Sequence, residues 1–383
     1  MPGRSSSKTS TKLSKPESPV VRDFGAQDAL QVAILWQKCF RHTTAPPSPA
    51  VEQYFTDVFL NHPWFEADLA PLVLDLHGEV VGFIGRMARP MVFHGQRIRC
   101  AVATQLMVDS DRQLPFGAMQ LVRALFSGPH DLCYSDGANE HSVPTWKRCG
   151  GQASRLLSFE WTRTLRPMQN LCYRLRGRGR MGRLAGVMHP TSGAIDGTAA
   201  ALFPRLCHKP MGKLRRQDAT AEEILPVARS LASTAALYPE YPEDSLSWLL
   251  RKAGESCSLG ELRTVIVLDG IETIGWFIYF ANKGGTAQVL QTGARPRHGL
   301  AVLGELFRDA WERGAAAVSG PLDPILITEF SDSHCQFRCP GFGVLVQSRN
   351  ADLLGAVLQG EGFISRLDGE WWLRLGVDRQ YEW

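Results

Sequence analysis

The chain has 383 residues, of which 44% are hydrophobic and 21% charged, and a formal net charge of +4. That length exceeds one ordinary core and suits two domains of a soluble globular protein. The small charge excess does not point to nucleic acid, no apolar run approaches the roughly 18 residues of a spanning helix, and nine scattered cysteines read as reduced thiols in a cytoplasmic protein rather than a disulfide framework.

Residues 1–19 are rich in Ser, Thr, Lys and Pro and cannot bury surface, so a disordered tail is expected there. They contain no apolar segment of the secretory type. Val20 to Phe24 reads as a strand. Asp28 is placed to cap a helix whose apolar side holds Leu30, Ile34, Leu35 and Phe40. Pro46, Pro47 and Pro49 break the chain before a second amphipathic helix with Val51, Tyr54, Phe55, Val58 and Phe59 on one face. A hairpin follows, from Leu72 to Leu76, a His77-Gly78 turn, and Val80 to Met87. Ile98 to Val108 is a longer strand, then come a glycine-containing turn and an amphipathic helix to Phe126. A second apolar strand ends on Asn139, a helix follows, and a last strand runs across Leu156 to Leu165. This order describes an α/β fold, a mixed sheet covered by helices.

From residue 168 to 214 the composition becomes that of a basic linker, in which Arg174, Arg176, Arg178, Arg180 and Arg183 alternate with Gly and Leu; a short helix fits Asp196 to Leu206. The arginines could grip a phosphate or an acidic acyl carrier protein, or simply be solvated. Beyond the linker the same element order recurs. Thr220 and Glu223 form a capping box for a helix through Leu231, and Leu246, Leu249 and Leu250 mark a second helix. Val265 to Leu268, an Asp269-Gly270 turn and Ile274 to Phe280 form a hairpin, Ala287 to Thr292 a strand, Gly299 to Arg313 a long helix, and Val318 lies on a short strand. The repetition implies tandem duplication, with residues 20–167 and 215–383 as the two domains. The end differs: a helix around Asp352 to Leu358, then an apolar strand from Phe363 to Leu375 whose Trp371 and Trp372 either pack in the core or line an acyl tunnel. His334, Cys335 and Cys339 lack a second ligand pair at zinc spacing, so no metal is expected.

The stretch from Val108 to Gly151 carries the chemistry. A strand that delivers a glycine-containing turn to a helix start can aim consecutive backbone N–H groups at a pyrophosphate, and glycine allows close approach. Here Val108 is followed by Gln113, Phe116, Gly117 and Ala118, and the next strand ends on Asn139, with Trp146, Gly150 and Gly151 after it. This pattern resembles the GNAT superfamily of N-acyltransferases. That family's cofactor motif is a valine, four residues, Gln or Arg, two residues, Gly, one residue, then Gly or Ala. Val108 and Gln113 fall in register, Ala118 holds the last position, and Phe116 stands at the first glycine with Gly117 beside it. The later motif (Asn, six residues, Tyr) matches at Asn139, with Trp146 in place of the tyrosine that often protonates the leaving thiolate; indole has no acidic hydroxyl. In several relatives a carboxylate six residues before the motif valine serves as base; Val102 stands there. In the second domain Gly299, Leu300 and Ala301 fit the end of the cofactor turn, with Pro296 at the Gln or Arg position.

The resemblance implies two GNAT-like domains and an acyl-CoA donor, acetyl-CoA or longer, bound by Val108, Gln113, Gly117, Ala118 and Asn139. It implies direct attack by an amine on a thioester, with the backbone N–H near Leu106 polarising the carbonyl. The attacking amine must lose a proton. Asp136, Glu140 and His141 are the candidate acceptors, and Thr104 and Gln105 could orient the amine or a water. The amine would belong to a small molecule, amino acid, sugar or peptide, and the donor could also be an acyl carrier protein. The alternatives are a non-catalytic tandem GNAT module that binds a partner, and an aminoacyl-tRNA-dependent transferase.

Overall fold

The computed structural model describes residues 18–175, 196, 198, 214–231, 235–242, 244–255, 257–339 and 343–373. The expected helix across Asp196 to Leu206, the expected tail and most of the arginine cluster lie outside the described residues. The first half supplies seven strands: β1 Val20–Asp23, β2 Leu72–Leu76, β3 Glu79–Phe93, β4 Gln96–Val108, β5 Leu132–Ala138, β6 Gln152–Ser154 and β7 Glu160–Thr164. Its helices are α1 Ala29–Arg41, α2 Pro49–Phe59, α3 Gly117–Phe126, α4 Ser142–Arg148 and α5 Pro167–Leu175. The second half supplies β8 Arg215–Asp218, β9 Leu237–Pro239, β10 Glu261–Asp269, β11 Glu272–Ala281, β12 Thr286–Ala294, β13 Ala317–Pro321, β14 Gln336–Arg338 and β15 Gly343–Ser348. Its helices are α6 Ala221–Leu231, α7 Ser245–Gly254, α8 Gly299–Glu312, α9 Ile327–Asp332 and α10 Ala351–Gln359.

The two sheets have the same plan. The first runs β1-β2-β3-β4-β5-β15-β6 with β9 added against β3, and the second runs β8-β10-β11-β12-β13-β7-β14. In each, the fourth and fifth strands are parallel and the sixth is antiparallel to its neighbours. The sixth strands are exchanged: β15 lies between β5 and β6, while β7 lies between β13 and β14. Neither expected half therefore holds a complete sheet. The strand expected across Leu156 to Leu165 is shorter and belongs to the second sheet. Trp161 explains this: its indole is buried in the second core, stacked on Phe330 at 4.7 Å and edge-on to Phe307 at 5.9 Å.

Helices cover both faces of each sheet, so the central strands are apolar throughout instead of alternating. In β3, every residue from Val80 to Arg89 is buried. On one side α2 presses Phe55 and Phe59 edge-on to Phe83, at 5.7 and 5.5 Å. On the other, Leu121, Val122 and Leu125 of α3 meet Leu74, Val81 and Ile84. The inner core is common to both halves, joining Phe83 and Val102 to Trp276, Leu290 and Trp372.

One local expectation holds and two change. The capping box at Thr220 and Glu223 forms, with Thr220 N–H on Glu223 Oε2 at 2.8 Å. Asp28 stands before α1, but its carboxylate turns away to Arg22 and to the Gly25 N–H. The apolar strand expected over Phe363 to Leu375 is instead an irregular, buried turn in its described part, with the Trp372 Nε1–H donated to Leu367 O at 2.9 Å. Its apolar content reflects burial between two sheets rather than β pairing. One consequence is measurable. A protease site placed between residues 176 and 213 and then cut should leave two fragments that co-elute. Residues 18–175 made alone should lack a cooperative melting transition, because β5 and β6 lose the strand between them. Two separately folded, separable fragments would overturn the exchange.

Candidate functional site

The site is built where β4 and β5 part. They pair only at Cys100–Val102 against Leu132–Tyr134 and diverge beyond. On its other edge β4 carries a bulge: Phe83 opposes Met107 and Gly85 opposes Thr104, so Gln105 and Leu106 face the single residue Ile84. Gln105 takes a left-handed φ of 51°, an uncommon conformation for a non-glycine residue.

Polar groups from four elements line the gap. Gln105 Nε2 donates to Tyr54 Oη at 3.1 Å, and that hydroxyl donates to Leu373 O at 2.6 Å. Gln105 Oε1 is buried without a hydrogen-bond partner. From β5, the Ser135 hydroxyl and the Gly137 N–H both donate to Glu370. The Glu370 N–H donates to Asp136 Oδ1 at 2.5 Å, while Asp136 Oδ2 is buried and unpartnered. Burial, and then the charge of Glu370, push the Asp136 carboxyl up to about 7. Burial likewise pushes the Tyr54 hydroxyl above its ordinary value. Gly369 packs so closely on Asp136 that a Cβ would collide with the carboxylate.

A hub of polar groups holds this turn in place. Asp368 has no exposed surface. Its carboxylate accepts from Tyr241 Oη at 2.9 Å, Ser365 Oγ at 2.6 Å and Gln291 Nε2 at 3.1 Å. Its carbonyl accepts from Tyr134 Oη at 2.9 Å and Arg89 Nε at 3.3 Å. Arg89, also buried, lies over the Trp64 ring at 4.4 Å.

The residues expected from the sequence divide into two groups. Leu106 lies on β4 and Asp136 on β5, each beyond the last residue that pairs the two strands. Glu140 and His141 are both exposed, beyond the end of β5. Asn139 caps α4, its Oδ1 accepting from the Ser142 N–H and hydroxyl at 3.0 Å. Trp146 is a core residue, edge-on to Phe126 at 5.0 Å. Val102 is fully buried. Tyr54, Ser135 and Glu370 were missed, because their roles depend on contacts 50 to more than 200 residues apart that no local motif signals.

The turn after Val108 also differs from a bare phosphate cradle. Gln113 is left-handed at φ 48° and Phe116 is exposed at the N-cap of α3. Ala118 lies in the first turn of α3. Gly117 is buried, and its missing side chain would point at Leu74 and Val108 rather than outward, so this glycine lets α3 close on the sheet. Asp109 and Asp111 share Lys38, whose Nζ is 2.6 and 2.7 Å from them. Burial opposes ionisation of Asp109, but the hydrogen bonds from Lys38 and the Asp111 N–H, with the charges of Lys38 and Arg112, together hold the carboxyl below its ordinary value. Among the described residues there is no group of three or more His, Cys, Asp or Glu able to hold a metal, and no helix is long and apolar enough to cross a membrane.

No family model matches the sequence, and no curated protein matches it. Solved structures do. A conserved Enterococcus faecalis protein described as a probable N-acyltransferase aligns with TM-score 0.56 at 10% identity, over 87% of this chain and 73% of that one. A GCN5-related N-acetyltransferase from Anabaena variabilis aligns with TM-score 0.55 at 9% identity, over 87% and 73%. One from Kribbella flavida aligns with TM-score 0.52 at 13% identity, over 86% and 71%. The chain has the fold of these proteins.

Two measurements check the site. Because Asp136 binds its proton more tightly folded than unfolded, its contribution to stability is fully present below about pH 4. It is lost as pH rises through about 7. Asp136→Asn should therefore flatten the melting temperature between pH 4 and 8 relative to wild type; an unchanged slope would show that Asp136 is not buried beside Glu370. Asp368→Ala should destabilise by about 3–5 kcal/mol by chemical denaturation, the cost of breaking a buried charged network from one side.

Proposed function

We propose that the chain is an N-acyltransferase that moves an acyl group from acyl-CoA to an amine in the gap between β4 and β5. The observation that carries this reading is Asp136, a carboxyl with one buried, unpartnered oxygen, poised at about 7 on β5 just past its last residue paired with β4. A base works best when its pKa is close to the working pH. Asp136 Oδ2 takes a proton from the ammonium form of the acceptor. The free amine attacks the thioester carbonyl, the new C–N bond forms as the C–S bond breaks, and the departing thiolate takes up the proton that the nitrogen loses as it becomes an amide.

Backbone N–H groups of the bulged strand near Leu106 stabilise the carbonyl oxygen as it gains charge. Glu370, fixed by Ser135 and Gly137, raises the basicity of Asp136 and holds its Oδ1 through a backbone N–H. Tyr54 and Gln105 supply hydrogen-bonding groups on the opposite wall. The part of β4 beyond Val102, which β5 does not pair, offers backbone groups to the amides of a pantetheine arm. The start of α3 after Gln113, with Gly117 and Ala118, faces the pyrophosphate. The acceptor is a small molecule, amino acid, sugar or peptide amine.

A second reading, a non-catalytic module of the same fold, is favoured by one observation: the phosphate turn carries Asp109 and Asp111, and Lys38 is already spent on both. Purified protein offered acetyl-CoA, longer acyl-CoAs and a library of amines, read by mass spectrometry, separates the two. Acyl transfer is expected with kcat rising through about pH 7. Asp136→Asn should lower kcat by about a hundredfold or more, within the range for loss of a general base, and leave KM for the donor nearly unchanged. No donor binding by calorimetry, or full kcat in Asp136→Asn, would sink the enzyme reading.

A further inference from the structure

The second sheet repeats the geometry of the first, and its gap is differently filled. β12 and β13 pair only at Thr286–Gln288 against Ala317–Ser319, then part. β12 bulges at Leu290, since Ile278 opposes Gln291 and Tyr279 opposes Val289. The segment Phe363–Ser365 passes alongside, leaving two adjoining cavities that share Gln291, Asp323 and Phe363.

We propose that this second gap is a ligand site in its own right, for an organic ammonium ion with an apolar body. Asp323 is the one charged side chain lining either cavity among the described residues. Its Oδ1 accepts the Ile325 N–H at 3.0 Å. Burial, and secondarily Glu329, push this carboxyl up to about 6, so it carries its charge at neutral pH. With no basic side chain on the walls, an anionic ligand would bring an uncompensated charge beside Asp323, whereas a cation is neutralised. Thr292 lines the first cavity, and its buried hydroxyl has no hydrogen-bond partner. A buried hydroxyl without a partner is costly, and an ammonium N–H donated to its oxygen relieves that cost.

The remaining walls suit the apolar part of such a ligand. Trp276, Tyr241 and Phe363 line the second cavity and present aromatic surface, which attracts cations as well as hydrocarbon. Ile325, on the wall of the second cavity, is about half exposed, and Leu300 and Ile327, at the starts of α8 and α9, are exposed too. Those two helices meet where Gly299 lies against Leu326. Apolar and aromatic walls around a single half-buried carboxylate select alkyl- or arylalkyl-ammonium ions over inorganic cations and sugars.

The site is independent of acyl transfer, and so is its test. The full-length protein, with no acyl donor present, is titrated by calorimetry with phenethylammonium and hexylammonium chloride and with 2-phenylethanol as the neutral match. Both ammonium ions should bind, the alcohol at least tenfold more weakly. Asp323→Asn keeps the acceptor for the Ile325 N–H and should weaken phenethylammonium by about tenfold or more, the loss expected when one charge-assisted hydrogen bond is removed. Thr292→Val should weaken it several-fold, and carries the test if Asp323→Asn does not fold by circular dichroism. No binding of either ammonium ion, equal binding of the alcohol, or affinity unchanged in the folded variants would each overturn the proposal.

Discussion

Asp368 is the constraint on which the candidate chemistry depends. A carboxylate with no solvent contact must be matched by donors or driven to its neutral form. Here Gln291 from β12, Tyr241 ahead of α7 and Ser365 donate to the carboxylate, while Arg89 from β3 and Tyr134 from β5 donate to the Asp368 carbonyl, so groups from both sheets converge on this one residue. Burial drives the carboxyl upward, and Arg89 and the hydroxyl and amide donors oppose it. Satisfying this group at one place fixes the next two residues. Gly369 is laid against Asp136 and Glu370 against Ser135 and Gly137. The pairing of two carboxyls at the β4–β5 gap is thus set by a residue that touches neither the gap nor a substrate.

The exchange of strands explains why such a hub sits between the halves. β15 crosses to the first sheet and the chain then runs through α10 into the Ser365–Leu373 turn, so the second half's end is delivered to the first half's gap. The return crossing is β7, which brings Glu160 between the sheets. There Arg366 and Arg338 pair with it, and Arg366 lies over Trp371 at 4.3 Å. Two polar clusters and one continuous apolar core therefore lock the same junction. Geometry at either gap responds to packing in both halves.

Much of the fold was legible because its signals are local. The His77-Gly78 turn, with both residues at positive φ, sits where the alternation of Leu72–Leu76 and Val80–Met87 demands a tight hairpin. The Thr220 capping box and the amphipathic stripe of α3 are equally local. The exchange was not legible, since Glu160–Thr164 reads as an apolar strand whichever sheet accepts it; only Trp161 meeting Phe330 decides the matter. The site was half legible for the same reason. Leu106 and Asp136 lie on strands whose order the duplication predicts. Glu370 and Tyr54 reach the gap through contacts across hundreds of residues, and a run containing two tryptophans gave no hint that it folds as a polar turn.

The two gaps show how a duplicated fold can separate its tasks. In both, parallel strands diverge after three paired residues and the leading strand bulges at the divergence, because the shared topology requires both. What enters the gap differs. In the first, Glu370 on the turn beyond Asp368 crowds a second carboxyl and makes it basic. In the second, the neighbouring segment contributes Phe363 and Ser365, apolar and neutral, and Asp323 stands alone on the walls. A single chain segment, Phe363 to Leu373, passes both gaps and contacts each through different residues. A pair of carboxyls favours moving a proton, and a lone carboxylate among aromatic rings favours holding a cation. The backbone that creates both places is nearly the same, so the divergence lies in side chains: Asp136 and Glu370 at the first gap, Asp323 and Phe363 at the second.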